Sequence, residues 1–374
     1  MQTTKNCRLS LAACGLVLSA STALAGGLDR SGQGINLIFE EGDAFQLRYR
    51  YVDPSLSGTS LVDGSSTGDV GQSYGNAHFG YKQALNDKLD VALIYDEPYG
   101  AHVEYDAAYY LSGTPAGTGS SPLGVLSAEA DTQALTGLFR YKLDGGFSLL
   151  GGLRLQTAEA QITVPAAGYT TSSDKPWDLG YIVGVAWEKP EIAARVALTY
   201  NSSIKQTLNL TELQVLAGPS THSANIETPQ SLNLDFQTGV AANTLVFGSI
   251  RWVDWSNFAL TSPNYPGGSP AGTLVSYDDD AITYTLGVGR KFSERFSGAI
   301  QVSYEESQGG TVSDLGPSDG FLSVGIGGTY TSGNTQFSLG VSYIDIGDAI
   351  TDNGGVFTGN DAWAAGFQIT YHFD

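Results

Sequence analysis

The chain has 374 residues, including 48 glycines and 40 aromatics (15 Phe, 20 Tyr, 5 Trp), and only 15% of it is charged. Glycine is at about twice ordinary usage and charge well below the roughly 25% of soluble domains, while this aromatic content excludes a disordered acidic chain. Acidic residues outnumber basic ones 38 to 18, a formal net charge of −20, which argues against a nucleic-acid partner because phosphate binding needs clustered Lys and Arg.

Residues 1–25 read as an export signal. Lys5 and Arg8 give a positive start, Leu9 to Ala20 an apolar stretch, and Ala23-Leu24-Ala25 a small-residue cleavage site. Cleavage after Ala25 leaves a mature chain starting at Gly26. Leu11-Ala12-Ala13-Cys14 also fits the pattern that precedes a lipidated cysteine. Only about three apolar residues then follow Arg8, against the roughly 7–15 that a signal core needs. Cys7 and Cys14 both fall in the removed piece, so the mature chain has no disulfide framework. No later stretch reaches 18 apolar residues, so any membrane crossing is by strands, not helices.

Residues 26–43 are polar, glycine-rich and without period. They form either a periplasmic tail or a plug folded into a lumen, where glycine permits close packing and a polar interior supplies partners. From 44 onwards side chains alternate with period two. Leu322, Val324, Ile326 and Tyr330 oppose Ser323, Gly325, Gly327 and Thr329; Phe337, Leu339, Val341 and Tyr343 oppose Gln336, Ser338, Gly340 and Ser342. This is strand periodicity. It predicts strands at 44–52, 74–83, 88–95, 127–142, 146–164, 177–188 and 192–206, then 231–243, 244–258, 279–292, 295–306, 319–332, 335–347 and 361–373.

The connections alternate between tight turns, as at Asn86-Asp87 and Gly333-Asn334, and long loops, as at 96–126 and 207–230. An even strand number with short turns at one end and long loops at the other is the pattern of a bacterial outer-membrane barrel. The expected fold is therefore all-β: a fourteen-stranded antiparallel transmembrane β-barrel over 44–374 with a short N-terminal plug over 26–43. Closure is required because lipid offers no partner to an open edge. Tyr81, Trp187, Phe292, Tyr304, Tyr330, Trp363 and Tyr371 lie near strand ends, where interfacial girdles form.

Several features bear on function. Pro98 lacks a backbone donor and Gly100 weakens pairing, so either a strand ladder breaks after Tyr95 or the strand simply ends there. Leu210, Leu213 and Leu216 make loop 207–230 apolar, either an exposed binding patch or a packed hairpin. Alternation points Arg48, Arg50, Arg140, Arg154 and Arg195 inward. Arg48, Arg140 and Arg154 are candidates to pair a ligand carboxylate, the competing role being to neutralise a lumen acid such as Asp235. Asp278-Asp279-Asp280 could hold divalent ions or simply be solvated. Gly71-Gln72-Ser73-Tyr74-Gly75 matches a hydrolase pattern that works only as a turn from strand into helix, and here it leads into a strand. The histidines, His78, His102, His222 and His372, have no metal-ligand spacing. Neither an enzyme nor a metal or cofactor site is expected.

Trp252-Val253-Asp254-Trp255-Ser256-Asn257-Phe258 resembles the Trp-x-x-Trp-Ser-x-Phe signature of FadL-type outer-membrane transporters of long-chain fatty acids and other hydrophobic compounds. Glu97-Pro98-Tyr99-Gly100-Ala101, Thr228-Pro229 and Pro317-Ser318-Asp319 agree as well. Gly366, Ile369, Tyr371 and Phe373 are similar to the terminal-strand signal read by the barrel-assembly machinery. The Asn-Pro-Ala motif common in the family's N-terminal hatch is missing. The resemblance implies a multi-pass protein of a Gram-negative outer membrane, in contact with its lipid and lipopolysaccharide. It implies hydrophobic ligands caught at extracellular loops and released sideways near a kinked third strand, with Pro98, Tyr99 and Gly100 as the kink. The alternative is a general porin for small polar solutes.

Overall fold

The computed structural model describes residues 28–113, 121–268 and 270–374; the expected signal, 1–25, lies outside them. Fourteen strands build one closed wall. The first seven are β1 (Ala44–Ser55), β2 (Tyr74–Asn86), β3 (Leu89–Asp96, continued at Gly100–Glu104), β4 (Ser127–Lys142), β5 (Phe147–Val164), β6 (Trp177–Lys189) and β7 (Ala194–Asn201). The second seven are β8 (Ser231–Ala241), β9 (Thr244–Val253), β10 (Ala281–Lys291), β11 (Phe296–Glu305), β12 (Phe321–Ser332), β13 (Thr335–Ile346) and β14 (Asn360–His372). Each pairs antiparallel with the next, and β14 returns to β1 with Ala44 opposite His372 and Ser55 opposite Asp361. The wall therefore has no free edge, as a structure surrounded by hydrocarbon requires.

The wall is apolar outside and polar inside. On β12 and β13, Leu322, Val324, Ile326, Leu339 and Val341 are exposed while Ser323, Thr329, Ser338 and Ser342 are buried. In water this would expose a large apolar surface; in a bilayer it places hydrocarbon against hydrocarbon. Tyr81, Phe292, Tyr330 and Tyr371 lie outside towards the tight turns, and Tyr304 and Trp363 towards the long loops, which makes two aromatic belts. The tight turns use left-handed backbone where the chain must reverse in two residues, at Asn243 (φ 61°) and Gly333 (φ 58°).

The long connections depart most from the sequence expectation. The seventh strand stops at Asn201 instead of running to 206. Residues 204–228 form a hairpin, Ile204–Gln214 with Gly218–Thr228. It leaves the wall and pairs with Tyr169–Ser173 of the preceding loop. The ninth strand stops at Val253 because Asp254 accepts hydrogen bonds from Ser256 Oγ (3.5 Å) and Asn257 Nδ2 (2.7 Å). Such a local side-chain turn competes with the ladder and curls Trp255–Asn257 into a 3-10 turn. Together the loops bury their own core, with Leu56, Tyr105, Tyr109, Tyr169, Leu208 and Phe357 among its members.

Candidate functional site

The β2–β3 ladder runs as far as Phe79 opposite Tyr95 and stops. It resumes only as an isolated bridge between Gly71 and Val103. Between these points β2 bonds to side chain and loop instead of strand. The Ala77 N–H donates to Glu97 Oε2 (3.0 Å), and Asn76 Nδ2 donates to the Glu97 carbonyl (2.9 Å). Pro98 has no donor to give. Tyr99 turns towards β4, its N–H donating to Thr132 Oγ1 (2.7 Å) while that hydroxyl donates back to the Tyr99 carbonyl (2.8 Å). The β2–β3 ladder is thus interrupted between Tyr95 and the Gly71–Val103 bridge.

The N-terminal segment bonds to the third strand at this break. Arg30 N–H donates to the Pro98 carbonyl (2.8 Å), and Gly100 N–H donates to the Leu28 carbonyl (2.8 Å). The Arg30 guanidinium lies over the Tyr74 ring, 4.4 Å from its centroid, and pairs with Asp131 at 2.8 Å. A Cβ at 100 would stand 2.3 Å from the Arg30 Cζ, so a larger residue there requires the guanidinium to move. Further along, Asp29 pairs with Arg251 at 2.5 Å, and Arg251 also donates to Asn233 (2.7 Å) and Ser231 (3.1 Å). Gln33 Oε1 accepts from Ser231 (2.8 Å). The turn Asn36–Phe39 sits deeper, with Arg140 and Arg195 stacked on Phe39 (4.8 and 4.5 Å) and Arg195 donating to Asn36 (2.8 Å). Residues 28–43 thus occupy the lumen through ion pairs and hydrogen bonds to inward-facing strand residues.

Directly behind the break is an apolar cavity of about 60 Å³, lined by Tyr99, Ala128, Leu208, Ile226, Trp255 and Phe258 among others. The tryptophan motif builds its wall. Trp255 meets Tyr99 edge-on (centroids 5.5 Å), and Phe258 and Tyr277 pack against Trp255 (5.6 and 5.2 Å). Trp252, on the strand before it, donates its indole N–H to Asp280 (2.9 Å), which also accepts the Ser256 N–H (3.2 Å). Burial pushes the Asp280 carboxyl up, but these hydrogen bonds outweigh it and hold the group below its ordinary value. Above the cavity the loops surround a wider space of about 980 Å³ that shares Leu28, Ala101, Trp255, Val275 and Leu315 with it.

The structure brings together Tyr99, Gly100, Trp255 and Phe258, which are far apart in sequence. The candidate arginines have other hydrogen-bonding partners. Arg48 lies beside His78 (3.5 Å). Arg140 contacts Ser148 (3.0 Å) and pairs with Glu188. Arg154 donates to Thr136 (2.9 Å) and Asn201 (3.2 Å). Leu210 packs in the loop core, while Leu213 is partly and Leu216 almost fully exposed near the hairpin tip. Ser73 precedes β2, with no helix after it. Arg251 and Asp29 were not singled out from the sequence, although Arg251 alternates with outward Ile250 in the same way as the other lumen arginines.

A closed fourteen-stranded barrel, apolar outside, with its N-terminal segment packed against inward-facing side chains, defines a transmembrane β-barrel of the outer-membrane type. Solved structures narrow the fold to the FadL type. A Pseudomonas aeruginosa FadL homologue matches at 15% identity with a TM-score of 0.73, covering 94% of this chain and 97% of that one. The Pseudomonas putida toluene transporter TodX matches at 14% identity and 0.66, covering 90% and 92%. The Ralstonia pickettii toluene transporter TbuX matches at 12% and 0.65, covering 94% and 97%. No family model and no curated sequence matches the chain.

Proposed function

We propose that this protein is a channel of a Gram-negative outer membrane through which hydrophobic compounds, long-chain fatty acids or hydrocarbons, enter by passive diffusion. The observation that carries this reading is the coincidence of a wall break with an apolar cavity while the lumen below is filled. A polar solute would need the axial route, which the plug occupies with charged and amide side chains. An apolar molecule needs only the step from cavity to window, and leaves into the hydrocarbon of the bilayer. In this reading Leu213 and Leu216 offer the first apolar contact outside. Pro98, Tyr99 and Gly100 keep the ladder from closing, and Arg30 bars the window until the N-terminal segment shifts. Arg140 and Arg195 clamp the plug, and Arg48 and Arg154 serve the wall beside it. Export by a signal cleaved after Ala25, insertion by the barrel-assembly machinery, and contact with lipopolysaccharide complete the picture.

The test is uptake of labelled long-chain hydrocarbon and fatty acid at limiting concentration, by cells with and without the gene. It is paired with conductance in planar bilayers. The expected outcome is faster uptake of at least one compound with the gene, together with near-silent bilayers. Equal uptake in both cell types, or large steady conductance like that of a general porin for small polar solutes, would refute the reading.

A further inference from the structure

The wide space above the cavity has an unusual charge balance. Eight carboxylates line it, among them Asp278, Asp279, Glu306, Asp319 and Asp352, and no Lys or Arg does. None of the eight forms an ion pair with a described residue. A space partly walled by protein strengthens the field of such a cluster, so an approaching anion is repelled before it reaches the apolar cavity.

A second observation lies at the junction of the two spaces. Trp255 lines both and is only 1% exposed. Its indole Nε1 has no hydrogen-bond partner among the described residues, although Trp252, three residues earlier, donates to Asp280. A buried donor without an acceptor is costly and normally finds one. Most of the cavity surface is carbon, Glu129, Asp131, Thr132, Glu159 and Thr228 also border it, and no described oxygen receives this proton.

Resting on the transport reading above, we propose that the site takes an uncharged hydrophobic molecule carrying one hydrogen-bond acceptor, such as a ketone, ester or alcohol. Its oxygen receives the Trp255 indole proton while its hydrocarbon fills the cavity. The carboxylate-lined entrance selects against ionised fatty acids. A molecule of this class gives Nε1 the acceptor it lacks. An alkane leaves the donor unsatisfied, and a carboxylate must first cross a field of its own sign.

The experiment compares initial uptake of labelled dodecane, 2-dodecanone and dodecanoate at pH 8 with chelator present, in cells making the full chain or carrying an empty vector. Ketone uptake is expected to exceed that of alkane by about two- to ten-fold, the range of one hydrogen bond, with dodecanoate slowest. Trp255→Phe keeps the aromatic packing but removes the indole donor, and should bring the ketone-to-alkane uptake ratio down to about one. The double variant Asp278→Asn/Asp279→Asn lies in a solvent-exposed loop and should speed dodecanoate alone by about two-fold or more. Heat-modifiable gel mobility reports whether each variant folds, and the aspartate pair keeps the test open if Trp255→Phe does not. Uptake of all three compounds at one rate, or selectivity unchanged in both variants, overturns the inference and leaves the transport reading standing. Failure of all three to exceed the vector control refutes the transport reading itself.

Discussion

Arg251 is the side chain on which the upper part of the plug depends. It and Asp29 are both buried, and the pair is held by Asn233 and Ser231. Removing one member of a buried pair leaves a charge without compensation, at a cost of about 3–5 kcal/mol, whereas replacing both with apolar groups is often neutral. Arg251→Met should therefore loosen residues 28–33 and produce transient openings in planar bilayers. Asp29→Leu/Arg251→Met should be quieter than the single variant. Equal leakage from the two would mean that the pair does not hold the plug. The inward face of Arg48, Arg140 and Arg154 could be read from strand alternation, because facing is a local property with period two. Their partners could not. Asp29 lies 222 positions from Arg251, and no spacing rule links a glycine-rich leader to the ninth strand.

Among the elements, the fourteen wall strands were legible and the loop strands were not. Wall strands separate apolar from polar faces because one meets lipid. The segment Gly218–Thr228 meets other loops on both sides, so Gly-Pro-Ser-Thr-His-Ser-Ala-Asn carries no clean alternation. Its place is fixed by tertiary contacts instead. Glu212 is the centre of these contacts: it accepts hydrogen bonds from Tyr169 and Ser262, and from Asn264 (2.6 Å). Burial pushes its carboxyl up, but these donors outweigh burial and bring it below the ordinary 4.5. A carboxyl whose folded-state value is depressed stabilises the fold above its unfolded value, and that contribution is lost as pH falls through the folded one. Amide exchange across 204–228, corrected for its intrinsic pH dependence, should thus accelerate below about pH 4.5. Glu212→Gln should show the faster exchange already at pH 7 and lose the pH step. A step of the same size in Glu212→Gln would assign it to another group.

On the scale of the whole molecule, the proposed function distinguishes an axial from a lateral route, with residues 28–43 between them. The axial route is blocked by residues 28–43 and their partners, from Arg251 above to Arg140 and Arg195 below. The lateral route of the proposed function would pass from the loop-lined space to the apolar cavity and the β2–β3 break, which Leu28, Asp29, Arg30 and Ser31 of the N-terminal segment border. Plug removal should therefore affect the routes unequally. The wall strands close on one another without residues 28–43, which add only a bridge between Asp29 and Tyr99 at the break, so a mature chain starting near Gly42 should retain the barrel. Its luminal side chains, Asn233, Arg251, Arg154 and Gln301 among them, would then face water, and a polar lumen of fourteen strands conducts ions. Planar bilayers should change from near silence to steady conductance, while hydrocarbon uptake by cells persists because cavity and window remain. If truncation abolished hydrocarbon uptake while the barrel still folded by gel mobility, the N-terminal segment would have to be part of the lateral path instead of its bar. Persistent uptake with new ion conductance would establish that the two routes are distinct.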